Sequence, residues 1–443
     1  MSSSDRELAA TSPSVQRDPE AQFSVADPGK AWRRGHRIPI VPAFDGYRAY
    51  AIIGVVLFHI LQVSGVFRSV GDSALGVLLW GLLPRSLDAL FIVSGFVIYL
   101  PTVVRDGDFG RVSAFALRRA ARLVPAYYVT LVIALVLLAT VSASPGLPDA
   151  GTIAAHFAVL QTPALLFVDH FQLGLGVVPP VWTLSVEVGF YLVLPLVAAY
   201  YFRHPLVGLL AAAAIVVAWT ELAHHADSVA SLFGTSLSHD AAGRIDSFYA
   251  SQFPSWTLAL AAGMTGAWAY VRLRDRIPPE RLARAALWGT GLAIVLLGLF
   301  VYLAGHGAVN DVSPFEGLFA RQSMVVTLGY PLVMAAVLIG ITLAPEWAQR
   351  PFTAPAMRWI GDISYAIYLI HFAVVWFALR EFSLPQDGAV GGALAWCALV
   401  YPVSIGYAYL SARFLERPVR RWAHRFGRRA QDEGPAGAPA GAA

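Results

Sequence analysis

The chain has almost no means of cross-linking itself. Among 443 residues there is one cysteine, Cys397, so a disulfide framework is excluded and the fold must rest on helix packing. Lysine is nearly absent as well. Lys30 is the only one, and arginine carries the remaining positive side-chain charge. Charged residues make up 14% of the chain, against about 25% in a soluble domain. The first forty residues lack the apolar core of a signal peptide. What fills the space is apolar: 57% of residues are hydrophobic and mean hydropathy is +0.59. Apolar blocks of about 20 residues recur, the length that crosses a hydrocarbon core of roughly 30 Å. The chain reads as an all-α polytopic integral membrane protein with about ten transmembrane helices.

Three regions follow from composition. Residues 1–42, rich in Ser, Pro and Ala, read as a disordered cytoplasmic tail. Residues 43–423 read as one membrane domain, without an internal repeat or an appended soluble domain. Residues 424–443, ending "GPAGAPAGAA", read as a second disordered tail. The expected spans lie near 48–66, 86–104, 123–143, 182–202, 205–222, 254–271, 285–304, 324–344, 360–379 and 390–412. The runs 74–83 and 153–168 are too short or too broken to span and are expected at the interface. With the N-terminus cytoplasmic, 27 of the Lys and Arg residues fall on the cytoplasmic side and five on the other. Cytoplasmic loops carry that excess. The split predicts both termini in the cytoplasm of a cell membrane. It also explains the pI of about 9.2 as topology rather than nucleic-acid binding.

Several polar residues sit inside these spans. In "FDGYRAYAIIGVVLFHI" (44–60), Arg48 and His59 are eleven residues apart, hence about 20° apart around a helix and about 16 Å along it. One reading makes this shared face the wall of a passage; the other makes Arg48 a snorkelling anchor and His59 a packing residue. "PPVWTLSVEVGFYLVLPL" (179–196) carries Thr183, Glu187 and Tyr191 on one face, with Glu187 expected at the depth of His59. A histidine and a glutamate at one depth can share a proton, as a general base requires, or can belong to a structural polar network. "LDALFIVSGFVIYL" (87–100) brings Ser94 and Gly95 to mid-bilayer. "IGDISYAIYLIHF" (360–372) aligns Ser364, Tyr368 and His371. The expected cytoplasmic loop 105–122 ends in "RRAARLVPAYY", where Arg119 and Arg122 are helical neighbours. Such a cluster suits a phosphate-bearing ligand, anionic lipid headgroups, or plain topology.

Taken together these segments resemble the acyltransferase-3 family of integral-membrane acyltransferases, over roughly residues 43–420. Six stretches carry the resemblance in order. They are the arginine and histidine of the first span, "LFIVSGFVIYL", "RRAARLVPAYY", "VWTLSVEVGFYLVLPL", "IGDISYAIYLIHF" and the closing "RFLERPVRR". Phe44, Thr183 and the Val188–Gly189 pair depart from the family's usual leucine, serine and Trp-Gln. The resemblance implies transfer of an acyl group, acetyl in the simplest case, from cytoplasmic acyl-CoA to a hydroxyl of a carbohydrate-containing acceptor. Acyl-CoA would be a co-substrate, with no cofactor and no metal. With the residues it makes His59 and Glu187 the expected catalytic groups. Arg48, Arg119, Arg122, Asp45, Ser94 and His371 are the expected substrate-binding residues. The alternative from another class is a proton-coupled secondary transporter using His59, Glu187 and His371 as a relay. Inverted repeats would favour it, and the sequence shows none.

Overall fold

A computed structural model describes residues 41–141, 144–310 and 324–423. The C-terminal tail 424–443 and residues 1–40 of the N-terminal tail lie outside them. Every regular element among the described residues is helical. We number the principal helices α1 (Ala43–Val63), α2 (Ala74–Leu82), α3 (Ser86–Val104), α4 (Val112–Thr140), α5 (Trp182–Arg203), α6 (Pro205–His224), α7 (Thr257–Arg276), α8 (Pro279–Asn310), α9 (Met324–Leu343), α10 (Pro355–Glu381) and α11 (Val390–Ser411). Among the described residues nine stretches are long and apolar enough to cross a membrane. The chain is an all-α polytopic membrane protein.

Eight of the ten expected spans match one helix with ends within about six residues, and two depart in instructive ways. The span expected at 254–271 is α7, which is not among the nine. It is rich in Ala and Gly, ends in Arg272, Arg274 and Arg276, and packs against α3, α6 and α9. A helix enclosed by protein needs small side chains for close approach more than it needs lipophilicity. The span expected at 123–143 begins eleven residues earlier, because α4 starts at Val112. Residues 112–122 of the expected loop, with Arg118, Arg119 and Arg122, are thus helix, while 105–111 stay a loop. The run 74–83, expected at the interface, instead packs lengthwise on α8. A Cβ at Gly81 would meet the Val301 carbonyl and one at Gly305 the Val77 carbonyl, so α2 and α8 run antiparallel; α2 and α3 together make one apolar stretch, Ala74–Val104, interrupted at 83–85. Residues 153–168 form only the short helices Ala150–Phe157 and Gln161–Ala164.

The helices sort into a centre and a periphery. The apolar windows of α1 and α10 are 61% and 67% buried, whereas those of α6 and α8 are 17% buried. The centre is close-packed because glycine permits it. A side chain at Gly46 would sit 2.0 Å from the Phe352 carbonyl oxygen, and one at Gly361 2.0 Å from that of Asp45. These contacts seat the start of α1 against the short helix Glu346–Thr353, through Gly46, and against the start of α10, through Gly361. α1 and α10 then run alongside each other, with Ile52, Val56 and Ile60 packed on Ile363, Ile367 and Val375. This frame holds the polar residues described next.

Candidate functional site

A cavity of about 860 Å³, open space included, lies between α1, α3, α4, α5 and α10. Its polar lining is Arg48 from α1, Ser94 from α3, Arg119 and Arg122 from α4, Thr183, Glu187 and Tyr191 from α5, and Ser364, Tyr365 and Tyr368 from α10. Ile52, Leu87, Leu90, Phe91 and Leu184 supply apolar wall. Three guanidinium groups therefore face one space with a single carboxylate. Arg48 reaches Asp45 at 3.2 Å. Among the described residues neither Arg119 nor Arg122 has an ion-pair partner. Arg119 lies over the rings of Phe115 and Tyr191, at 5.7 and 5.8 Å, and its buried Nε has no hydrogen-bond partner. A buried donor left open is costly unless something else occupies it. Cations stacked on aromatic faces keep their hydrogen-bonding edges free for an anion.

Glu187 is fully engaged at this end. Its Oε1 accepts from Ser94 Oγ at 3.2 Å and its Oε2 from Tyr191 OH at 3.0 Å. It is a charged neighbour of both Arg48 and Arg119. The helix register fixes its level. α1 and α3 run antiparallel, with Phe44 stacked on Phe96 at 4.1 Å and Ser86 against Gly54. Ser94 consequently faces the Phe44–Arg48 end of α1, about 16 Å or more along the axis from His59. The expected common depth of Glu187 and His59 does not hold. Both lie about one turn from a helix end, but the start of α5 is sunk into the bundle, where the Pro180 carbonyl accepts Tyr368 OH at 2.7 Å.

His59 has another partner. Its Nδ1 lies 2.9 Å from the Val55 carbonyl and 3.3 Å from Nε2 of His371. His371 Nδ1 lies 2.7 Å from the Tyr368 carbonyl. His371 is fully buried, whereas His59 keeps partial exposure and its Nε2 has no protein partner among the described residues. Phe372 meets the His59 ring edge-on at 5.1 Å. The histidine pair and the arginine-lined cavity are joined through Tyr368, which lines the cavity, receives Thr183 Oγ1 at 3.0 Å and bonds His371 through its carbonyl.

Of the sequence-predicted residues, then, Arg48, Arg119, Arg122, Ser94 and Glu187 share the cavity. His59 and His371 form a separate pair beyond its lining. Asp45 stands outside the lining as the partner of Arg48. Tyr365 was not anticipated. It lines the cavity and ties α10 to α4 by donating to the Leu123 carbonyl at 3.0 Å. Its place three residues before Tyr368 was the available signal. Glu416 was anticipated only as a motif letter. A π-helical turn over Ala412–Glu416 buries it to 3% exposure and bonds it to Ser411 at 3.3 Å, and such turns are frequent at functional sites. Among the described residues no group of three or more His, Cys, Asp or Glu side chains is placed to hold a metal ion.

Outside the cavity, His156 is buried in the segment that leads to α5. Its Nδ1 donates to the Thr152 carbonyl at 2.7 Å and its Nε2 accepts from Leu175 N–H at 3.2 Å. Burial lowers its pKa below the ordinary value. A neutral ring fits these two partners, and a second ring proton would confront the Leu175 N–H.

Comparison with known proteins gives a consistent picture. Residues 41–412 match the acyltransferase-3 family model, described as an acyltransferase domain. The chain is 25% identical over 393 residues to "Peptidoglycan O-acetyltransferase OatA" of Listeria monocytogenes, covering 86% of this chain and 56% of that protein. It is 24% identical over 395 residues to "Putative peptidoglycan O-acetyltransferase YrhL" of Bacillus subtilis, covering 86% and 55%. A "Putative O-acetyltransferase" of Staphylococcus aureus is 24% identical over 412 residues, covering 88% and 59%. The chain thus spans a little over half the length of the curated relatives it matches. No solved structure matches it.

Proposed function

The chain belongs to the acyltransferase-3 family, and on that footing we propose that it is a membrane-embedded, acyl-CoA-dependent O-acyltransferase acting on a sugar hydroxyl of the cell envelope. The observation that carries the donor is the cavity with three arginines, two of them without an ion-pair partner among the described residues, against one carboxylate. Such a space is short of negative charge. The phosphates of an acyl-CoA supply it with charge-assisted, bidentate contacts. A sugar acceptor accords with the relatives, which are named as peptidoglycan O-acetyltransferases, established or putative.

The arginine excess on one side of the spans supports a cytoplasmic donor end and cytoplasmic termini. From Arg48 the wall of α1 runs about 16 Å to His59, a distance an extended pantetheine arm can bridge. At the histidine end, Nε2 of His59 takes the proton of the acceptor hydroxyl as that oxygen attacks the thioester carbonyl. The tetrahedral intermediate collapses, the C–S bond breaks, and the His59 imidazolium returns the proton to the departing CoA sulfur. Acyl-CoA and alcohol become ester and free CoA, with no net proton change.

The test is CoA-thiol release by the purified full-length protein, given acetyl-CoA and soluble muropeptides. Acceptor-dependent release with appearance of an ester supports the reading. No release, combined with proton-coupled uptake of a solute into proteoliposomes, would replace it with the transporter reading.

A further inference from the structure

We infer that His371 is a positioning residue that sets the tautomer of His59 and holds the charge that ring acquires; it does not contact substrate. The inference rests on the reading of His59 as the base, and it concerns hydrogen placement alone. A neutral imidazole has one N–H and one lone pair. A carbonyl oxygen only accepts, so His371 must carry its proton on Nδ1, which it donates to Tyr368 at 2.7 Å. Its Nε2 is then a lone pair. That lone pair faces Nδ1 of His59 at 3.3 Å, and the same Nδ1 faces the Val55 carbonyl at 2.9 Å. Two acceptors converge on one ring atom, so His59 carries its proton there, shared in a three-centre bond. The tautomer left to His59 has its lone pair on Nε2, the one ring nitrogen of the pair without a protein partner among the described residues.

The same arrangement acts during turnover. When Nε2 takes the acceptor's proton, His59 becomes an imidazolium whose Nδ1–H still points at two acceptors. A neutral imidazole therefore occupies the place that a carboxylate holds beside the histidine of a catalytic triad. A buried carboxylate there would carry charge into an apolar core of Val55, Val56, Ile60, Ile367 and Val375, which is expensive. The imidazole supplies the acceptor without that cost. Full burial of His371, with both nitrogens engaged, leaves it no edge for a substrate.

The experiment compares His371→Leu, His371→Gln, His59→Gln and wild type in full-length protein, assayed with acetyl-CoA and soluble muropeptides. Glutamine keeps an acceptor oxygen near the position of Nε2; leucine does not. His371→Leu should lose roughly 10²-fold in kcat with KM for acetyl-CoA within about threefold of wild type. His371→Gln should recover at least about tenfold over leucine, and His59→Gln should not recover. Equal failure of both His371 variants as folded proteins, full activity of His371→Leu, or a loss confined to KM would overturn the inference. If His59→Gln retains turnover, the assignment of the base has failed instead, which is a distinguishable result. Should His371→Leu not fold, wild type decides. Diethyl pyrocarbonate, mapped by mass spectrometry, should modify His59 and spare His371; the reverse pattern would overturn the inference.

Discussion

The two ends of the site are built on opposite terms. At the arginine end charge is left uncompensated: Arg119 and Arg122 lack ion-pair partners among the described residues, and the Arg119 Nε has no acceptor. At the histidine end nearly everything is compensated: three of four ring nitrogens are bonded, one ring is fully buried, and a single lone pair stays open. The first pattern is that of a binding site awaiting an anion. The second is that of a pre-organised reactive group, whose supporting shell is settled before substrate arrives. The difference teaches that affinity and chemistry are separated along α1, and that changes at the two ends should fail in different parameters.

The largest effect is expected at His59. His59→Ala should keep the fold and the donor affinity and lose roughly 10²-fold or more in kcat, the scale of a lost general base. Turnover near that of wild type would erase the distinction between the ends. Next come the arginines. Arg119→Gln or Arg122→Gln should each remove about 1.5–3 kcal/mol of charge-assisted binding, roughly 10- to 100-fold in donor Kd, with acceptor KM little changed. Unchanged donor affinity in both would return these residues to lipid contact or topology. A smaller effect is expected for Glu187. Its bonds to Ser94 and Tyr191 assign it to the arginine end. Glu187→Gln should therefore shift donor KM several-fold, be non-additive with Arg119→Gln, and be additive with His59→Ala. Strong coupling to His59 in a double-mutant cycle would rejoin what the register separates.

The smallest effect lies outside both ends. Burial lowers the pKa of His156 in the folded protein. The unfolded chain, with an ordinary histidine pKa of about 6.5, then binds more protons between the two values, so stability rises with pH there. The contribution is complete above about pH 6.5 and is lost as pH falls below it. Thermal unfolding at pH 7.5 and 5.5 should show a smaller pH dependence in His156→Gln than in wild type. Donor affinity at pH 7.5 should be equal in the two. An identical pH slope in both would remove His156 from this role.

Much of this was legible in the sequence. Apolar block length, low charge content and the single cysteine sufficed for an all-α membrane bundle, and positional spacing with the family resemblance singled out Arg48, His59, Ser94, Arg119, Arg122, Glu187 and His371. What could not be read was register between helices. Depth counted from the ends of two helices assumes that both begin at one surface, and α5 begins inside the bundle. That is why Glu187 was expected beside His59 and lies with Ser94. Partner choice is a further step removed: that His371 and not Glu187 meets His59 depends on how Gly361 lets α10 close onto Asp45 of α1. The helical state of 112–122 was hidden by its arginines, which suppress hydropathy without suppressing helix formation. Conversely, α7 reads as a span although protein encloses it.

The most direct test is equilibrium binding of CoA to the purified full-length protein, comparing wild type, His59→Ala and the double variant Arg119→Gln/Arg122→Gln. The account predicts that His59→Ala binds CoA as wild type does, while the arginine double variant loses at least about 10²-fold in affinity. Loss of CoA binding in His59→Ala, or wild-type binding in the arginine double variant, would contradict it.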